Sequence, residues 1–378
     1  MGATRRRQRG PVMRLTRLTV AGVRNLQPLD LAPGPRINLV LGANGAGKTS
    51  LLEAIHLLAY GRSFRGRVRD GLVRTGSDSL EVFAEWTEPV DVRRRAGLRH
   101  TGQSWTGRLD GEPVQQLGEL CAALAAVSFE PGSHALVTAG SEARRRYLDW
   151  GLFHVEQGES RFQPVWRRYT RALKQRNALL KGRQRDGQLD AWEAELDQTG
   201  TLLTQHRERY LGQLQPYLAA STDALLPEAG ATELVFQPGW RREELPLADA
   251  LLLARDRDLA TGFTSVGPHR ADWRIVQAAI PGREALSRGQ AKLTALAALL
   301  AQAEHQAAIR GDWPVVALDD LASELDRPHQ QLVLRRLWQY DTQVLVTGTD
   351  RPAGLEGVGA RRVPARVFHV EQGMLRPA

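Results

Sequence analysis

The chain has 378 residues, a formal net charge of +9 and one cysteine, Cys121. One cysteine excludes an intramolecular disulfide framework, and no uninterrupted apolar run is long enough to span a bilayer or to serve as a secretory signal. The composition therefore predicts a cytoplasmic protein without a membrane partner. The basic excess favours a polyanionic partner instead.

The first twelve residues stand apart from the rest. Arg5, Arg6, Arg7 and Arg9 all precede Met13, where strand-like sequence begins. Residues 1–12 are predicted to be a disordered or non-native basic extension, because short basic runs are usually solvated tails. Without these four charges the basic excess of the body weakens but survives.

The most informative segment is a phosphate-binding motif of the form G-x-x-x-x-G-K-T. It consists of Gly42, Ala43, Asn44, Gly45, Ala46, Gly47, Lys48 and Thr49. A strand-like apolar run over 37–41 precedes it and helix-like sequence over 50–58 follows it, which is the context that the motif needs. Backbone N–H groups and the helix N-terminus would surround phosphates, Lys48 would reach the β- and γ-phosphates, and Thr49 would bind Mg²⁺.

Hydrophobic patterning divides the remaining chain into three parts. Residues 13–155 are predicted to form a first lobe that combines the P-loop with an antiparallel sheet over 80–110. Residues 156–262 are predicted to form a helical arm, because apolar stripes over 159–217 suit two antiparallel helices. Residues 263–378 then return to the P-loop lobe. The predicted fold class is α/β, with mixed sheets around a P-loop core and a helical-hairpin arm.

Two further segments carry chemistry that suits a nucleotide. Leu286-Ser287-Arg288-Gly289-Gln290 opens a helix, where a serine and a glycine suit an anion, although an ordinary N-cap also explains them. An apolar strand over 314–318 ends in Asp319 and Asp320. Adjacent carboxylates at a strand tip repel each other, so a bound Mg²⁺ is the economical explanation. Ser323-Glu324-Leu325-Asp326 follows directly.

These four segments, in this order, resemble the ATP-binding-cassette superfamily. The resemblance implies an ATP-binding-cassette-type head and an ATP-dependent homodimer. In such a dimer the signature segment of one copy contacts ATP held by the other. The residues implied to act in this way are Ser287, Arg288, Gly289 and Gln290.

The same resemblance implies roles for the remaining motif residues. Thr49 and Asp319 would hold Mg²⁺, and Asp320 stands where other members have a general-base glutamate. Asp320 and Lys48 are therefore the implied catalytic residues. Ser323 and Asp326 fall in the segment called the D-loop in that superfamily.

A narrower resemblance, to the RecF family of bacterial DNA replication and repair ATPases, extends across nearly the whole chain from Met13. The segments that carry it are Arg24-Asn25-Leu26, Gly61-Arg62-Ser63-Phe64-Arg65, Phe129-x-Pro131, Arg145-Arg146, Leu148-Asp149, Gly267-Pro268-His269-Arg270, 286–290 and 318–326. The chain departs from the family pattern at Ala271, where an acid is usual.

The family resemblance implies a weak, DNA-dependent ATPase that dimerises with ATP on double-stranded and gapped DNA. It further implies a role with RecR and RecO in recombinase loading at single-strand gaps, and a link to the SOS response. Arg62 is expected to contact phosphate or DNA.

Two alternatives stay open at the level of sequence. The nucleotide-binding subunit of a membrane transporter shares the four segments, but Thr347-Gly348-Thr349 lacks the histidine that transporters place after that strand. A DNA-binding scaffold with a relic ATP site is the other alternative, and the intact Lys48, Thr49 and Asp319 argue against it.

Overall fold

The computed structural model describes residues 13–66, 71–88, 91–156, 162–182, 187–282, 285–340, 342–355 and 365–378. The extension predicted over residues 1–12 lies outside these ranges. The chain forms two compact units. The first unit comprises residues up to Ser133 together with Ala303–Ala378, and the second comprises His134–Gln302.

Each of the two units contains both helices and strands. The first unit begins with β1 (Arg14–Ala21), β2 (Leu29–Leu31), β3 (Ile37–Leu41), α1 (Lys48–Tyr60), β4 (Leu80–Glu88), β5 (Val92–His100), β6 (Trp105–Leu109), β7 (Glu112–Pro113), α2 (Leu117–Ala123) and β8 (Ala126–Phe129). The second contains α3 (Ala135–Thr138), α4 (Ser141–Val155), α5 (Phe162–Lys181), α6 (Gly187–Leu225), β9 (Thr232–Gln237), α7 (Leu247–Thr261), β10 (Asp272–Gln277) and the start of α8 (Arg288–Arg310). The first unit resumes with β11 (Val315–Leu318), α9 (Leu321–Glu324), α10 (Arg327–Gln339), β12 (Val344–Gly348), β13 (Ala365–Glu371) and β14 (Met374–Pro377).

Two six-stranded sheets organise the first unit. One is antiparallel, with strand order β2-β1-β4-β5-β6-β7, and its strands alternate buried and solvent-facing residues. The other has the order β14-β13-β3-β12-β11-β8, and every neighbouring pair in it is parallel except β13 with β14. All residues of β3, β8, β11 and β12 are buried, as expected for parallel strands covered on both faces. The predicted strands of this unit are confirmed.

The second unit contains the predicted helical hairpin. Leu180 packs near Leu189, and Arg176 pairs with Glu193 further along both helices, so α5 and α6 run antiparallel. The aromatic residues of the predicted stripes are core residues, with Phe162 fully buried and Tyr210 nearly so. The hairpin prediction is therefore confirmed.

Helix α6 is longer than the sequence pattern indicated. The apolar stripe predicted a second helix of about 40 Å, whereas its 39 residues correspond to about 58 Å at 1.5 Å per residue. Pro216 lies inside the helix without ending it. Leu218 and Leu225, beyond the proline, are buried, so the packed face continues where local propensity favours a stop.

The unit boundaries differ from the lobe boundaries predicted at 155/156 and 262/263. Helix α4 belongs to the second unit because its side chains pair with other parts of that unit. Arg144 on α4 donates from Nε to Asp272 Oδ1 at 2.7 Å, and Asp149 accepts from Arg207 Nη2 at 2.8 Å. The first part of α8 also belongs to this unit, since Tyr147 O–H donates to the Ala298 carbonyl at 2.6 Å. Such long-range partners are invisible in local sequence patterns.

A buried ion network fastens the arm. Arg176 is fully buried and donates to Glu193 Oε1 at 2.8 Å, to Asp258 Oδ2 at 2.8 Å and to Thr264 Oγ1 at 2.9 Å. The two carboxylates come from α6 and α7, so one guanidinium joins three helices. Asp258 is fully buried and depends on this cation for charge compensation, whereas the buried Glu193 also pairs with Arg255.

Replacing the buried arginine tests the importance of this network. Arg176→Ala should lower the free energy of unfolding by about 3–5 kcal/mol, because it leaves the buried Asp258 carboxylate without its cation. Arg168→Ala is the matched control: it removes an exposed pair with Glu195 on the same two helices and should cost less than about 1 kcal/mol. Urea unfolding of both variants measures the difference. Equal losses would show that the network is not what fastens the arm.

Candidate nucleotide-binding site

The P-loop connects β3 to α1 and is shaped by glycines. Gly47 has φ +116°, a conformation that side chains with a Cβ rarely adopt, and α1 begins at the next residue. At Gly42 a Cβ would lie 2.3 Å from the Val370 carbonyl oxygen, so only glycine fits between β3 and β13. Gly42 N–H also donates to the Gly348 carbonyl at 3.2 Å. The loop is therefore held by both strands that flank β3.

The turn between β13 and β14 is hydrogen-bonded to the P-loop. Gly373 N–H donates to the Ala46 carbonyl at 2.8 Å, and the Gly373 carbonyl accepts from Gln27 N–H at 2.9 Å. Asn25 adds a side-chain contact, since its Nδ2 donates to the Gly45 carbonyl at 2.7 Å. No local sequence motif marks this turn as part of the site.

Lys48 lies inside the loop that precedes it. Its ammonium group donates to the Gly42 carbonyl at 2.7 Å and to the Ala43 carbonyl at 3.0 Å, and the side chain is only 6% exposed. The cation is thus positioned at the mouth of the loop by the backbone that forms it.

Asp319 lies at the carboxyl end of β11, beside the end of β12. Leu318 pairs with Val346 in the parallel ladder, so Asp319 stands level with Thr347. Asp319 Oδ1 accepts from Thr347 Oγ1 at 2.6 Å and from Thr49 Oγ1 at 3.2 Å. The carboxylate is 1% exposed, and this burial raises its pKa above the usual range.

The donor set around Asp319 fits Mg²⁺. Asp319 Oδ2 is buried and, within the described part of the chain, has no hydrogen-bond partner. A buried carboxylate oxygen without a donor is costly unless a cation completes it. The Thr49 hydroxyl and a carboxylate are hard oxygen ligands, which Mg²⁺ prefers, and Mg²⁺ keeps few protein ligands beside phosphates and water. Thr49 and Asp319, predicted as ligands, are therefore brought together.

Asp320 is positioned differently from its neighbour. It has φ +49° and precedes α9, and its N–H donates to Thr347 Oγ1 at 2.9 Å. Its Oδ1 is buried and lacks a hydrogen-bond partner among the described residues. Thr347 thus contacts both acids, a role that the sequence analysis missed because no local motif marks it.

One cleft collects these groups. It has a volume of about 330 Å³ and is lined by Asn25, Asn44, Lys48, Arg65, Asp319 and Asp320 among others. A cleft of this size suits a phosphate-bearing ligand, and its lining combines cationic side chains with carboxylates.

Arg62, the predicted phosphate or DNA contact, is not among the residues described as lining this cleft. It lies half-buried near Cys121, and burial lowers the pKa of its guanidinium. Arg65, three residues later, lines the cleft instead. The expected contact of Arg62 with phosphate or DNA stays a prediction, whereas Arg65 was missed.

Arg24 marks a further feature that sequence reasoning did not assign. With φ +49°, it donates from Nε to Glu53 Oε2 at 2.6 Å and from Nη2 to Glu53 Oε1 at 2.8 Å. Ser63 Oγ donates to the same carboxylate. Glu53 lies on α1, so this pair fastens the segment before β2 to the P-loop helix.

The signature segment lies in the second unit, at the start of α8. Gln290 N–H donates to Ser287 Oγ at 3.2 Å, and Ser287 N–H donates to Gln290 Oε1 at 3.0 Å. This reciprocal pair is a capping box, so the N-cap interpretation applies. Ser287, Arg288 and Gly289 are exposed, which leaves the start of the helix accessible to a partner.

The two D-loop residues are exposed as well. Ser323 N–H donates to the Asp320 carbonyl at 2.9 Å. Asp326 caps α10 and accepts from His329 N–H at 2.9 Å, and this hydrogen bond holds the pKa of the carboxyl below its usual range. Ser323 and Asp326 therefore follow the paired acids closely in sequence and are accessible to a partner at the surface.

Comparisons with known proteins agree with this geometry. The family model described as RecF/RecN/SMC N terminal domain matches residues 14–375. A DNA replication and repair protein RecF from Xanthomonas axonopodis pv. citri (strain 306) is 59% identical over 367 residues, covering 96% of this chain and 98% of that protein.

Solved structures give the same result for the fold. A structure titled as the recombination mediator protein RecF with ATP in the RecFOR pathway matches with a TM-score of 0.85 and 25% identity, covering 98% of this chain and 99% of that one. An Smc head domain from Pyrococcus furiosus matches with a TM-score of 0.58 and 15% identity, over 97% and 96% of the two chains. The predicted head fold with its helical arm is confirmed. In the described ranges, no helix is long and apolar enough to cross a membrane.

The double role of Thr347 can be tested with its neighbour as control. Thr347→Val should weaken nucleotide binding in the presence of Mg²⁺ about 10-fold or more. It removes the hydrogen bond from the Thr347 hydroxyl that orients the Asp319 carboxylate, and hydrogen bonds to charged groups are the stronger ones. Binding in EDTA should change little. Thr349→Val removes an exposed hydroxyl two residues away and should match the wild type. Titration with a fluorescent ATP analogue measures all three, and an equal effect in EDTA would contradict the assignment.

Proposed function

The chain belongs to the RecF family of DNA replication and repair proteins, and we propose that it is a DNA-dependent ATPase that dimerises on DNA when ATP is bound. The observation that carries this proposal is the convergence of Lys48, Thr49 and Asp319 in one cleft. Each has the chemistry that phosphate or Mg²⁺ requires, and the fold brings them together from two parts of the chain about 270 residues apart.

We propose the following division of work at the site. The backbone N–H groups from Gly42 to Thr49 surround the phosphates, and Lys48 neutralises charge on the β- and γ-phosphates. Thr49 and Asp319 hold Mg²⁺, which when bound neutralises charge that develops on the transferred phosphoryl group. Asp320 orients the attacking water and accepts its proton at the carboxylate.

The dimer is proposed to complete the site with residues that one copy does not supply. Ser287, Arg288, Gly289 and Gln290 would contact the γ-phosphate in the partner copy, and Ser323 and Asp326 would lie at the same junction. Their exposure supports this role, because the helix start that the capping box presents has positive dipole and accessible donors.

The nucleic acid is proposed to be double-stranded and gapped DNA. The net charge of +9 supports a polyanionic partner, and the relative from Xanthomonas axonopodis pv. citri (strain 306) carries a DNA replication and repair name. The ATP-bound structural relative is titled as a recombination mediator in the RecFOR pathway. RecR and RecO are accordingly proposed as partners in recombinase loading, with a link to the SOS response and a cytoplasmic location.

Family membership leaves the transporter-subunit alternative without support. The relic-site alternative also conflicts with the cleft, because an unused site has no reason to keep a buried carboxylate oxygen without a donor.

The experiment is steady-state ATPase activity with and without gapped duplex DNA. The wild type should hydrolyse ATP slowly and faster with DNA. Asp320→Asn should keep ATP affinity but lose hydrolysis by about two to four orders of magnitude, since a general base acts only in the transition state. Asp350→Asn, an exposed acid after β12, is the control and should behave as wild type. Full turnover in Asp320→Asn would refute the assigned role.

A further inference from the structure

A second polar cleft lies within the second unit, separate from the nucleotide cleft of the first. It has a volume of about 170 Å³, and its lining comes from α4, α5, α6 and the loop before β10. The segments Arg145-Arg146 and Gly267-Pro268-His269-Arg270, which the nucleotide site does not use, meet here. Its charged lining residues are three arginines and two carboxylates: Arg145, Arg146, Arg207, Glu142 and Asp149.

Two of the three arginines are neutralised where they stand. Arg207 is 3% exposed, and its Nε and Nη2 donate to Asp149 Oδ1 at 3.0 and 2.8 Å. Arg207 Nη1 donates to the Pro268 carbonyl at 2.7 Å, so its donors are used. Arg146 pairs with Glu142.

Arg145 is the exception. Its Nη1 donates to Ser141 Oγ at 2.6 Å and to the Ala271 carbonyl at 2.7 Å, both neutral acceptors. Within the described part of the chain it has no carboxylate at ion-pair distance, and its Nε and Nη2 have no acceptor. The guanidinium is half-buried, and burial is the largest cause that lowers its pKa. The charge of Arg207 lowers the pKa further, while Asp272 and Asp149, which form no ion pair with it, act in the opposite direction. A desolvated cation beside another cation is unfavourable unless an anion compensates it.

His269 completes the wall of this cleft as a neutral ring. Its Nε2 lies 2.9 Å from the Thr264 carbonyl and must donate, so Nδ1 accepts from Tyr169 O–H at 2.7 Å. Burial lowers the pKa of His269 to about 4, so the imidazole carries no charge at neutral pH. The uncompensated charge of the cleft therefore comes from arginine, whose planar fork matches phosphate oxygens.

We propose that this cleft is a phosphate-binding site in which Arg145 is the principal ligand and Arg146 lies at its rim. Its volume admits one phosphoryl group and is well below the roughly 300–1,000 Å³ of sites that hold a whole small-molecule ligand. The phosphate comes either from the DNA backbone or from a free phosphoryl anion. Binding of a DNA phosphate rests on the DNA binding proposed above, whereas binding of a free phosphoryl anion does not.

The test measures affinity for a fluorescein-labelled gapped duplex over a range of KCl concentrations. With a DNA phosphate in the cleft, Arg145→Gln should weaken binding about tenfold and reduce the slope of log K against log salt by about 1. Arg145→Lys keeps the charge and should retain the slope. Arg209→Gln, which removes an exposed arginine of α6 outside the cleft, should match the wild type. ATP affinity should not change in any of them.

A second variant keeps the proposal testable if Arg145→Gln fails to fold. Arg146 is exposed, and Arg146→Gln leaves the Glu142 carboxylate without its cation at the cleft, so it should also weaken DNA binding and lower the slope. The melting temperature in inorganic phosphate identifies the other source. A rise in the wild type that is lost in Arg145→Gln, with unchanged salt slopes, would assign the cleft to a free phosphoryl anion.

Unchanged slopes in both cleft variants together with no phosphate-dependent rise in Tm would overturn the proposal. A flat salt response of the wild type itself would instead refute the proposed DNA binding, while leaving the phosphate melting experiment to decide on the cleft.

Discussion

The nucleotide site depends on one buried carboxylate. Asp319 receives hydroxyl donors from Thr49 and Thr347 and keeps a second oxygen without a donor. This arrangement exists only because β12 lies between β3 and β11, so that three chain segments distant in sequence end at the same edge of one parallel sheet. The buried oxygen is a cost to the folded protein that a bound cation would offset. Stability and ATP chemistry are therefore coupled at this one residue.

In the second unit, by contrast, most buried charges are compensated by ion pairs. Arg176 and its carboxylate partners, like Arg207 with Asp149, are compensated within the unit and give the arm a defined packing. Against this background, the lack of a carboxylate partner for Arg145 within the described chain stands out. Ser287 at the start of α8 and Arg146 at the rim of the cleft are both exposed, so the proposed partner copy and the proposed phosphate can reach them.

Local sequence patterns predicted much of the fold and of the nucleotide site. The features that they missed share one physical reason. The P-loop, the strand ending in Asp319 and the helical hairpin each follow from contiguous residues with a clear period or motif. Thr347, the Gly373 turn and the Arg24–Glu53 pair act through partners that strand order and packing bring near, and no window of sequence contains both halves. Helix α6 exceeded its predicted length because packing beyond Pro216 outweighed local propensity. Arg65 rather than Arg62 lines the cleft, a distinction that depends on the path of a glycine-bounded loop.

The proposed ATP site is completed by a second copy of the chain. The most direct measurement is the sedimentation mass of the wild type and of Ser287→Arg with saturating ATP and Mg²⁺ on gapped DNA. Two wild-type copies should assemble, while Ser287→Arg should stay a single copy with unchanged ATP affinity, because the added cation fills the space for the partner's γ-phosphate. A wild type that remains a single copy under these conditions, or a variant that assembles equally well, would contradict this proposal.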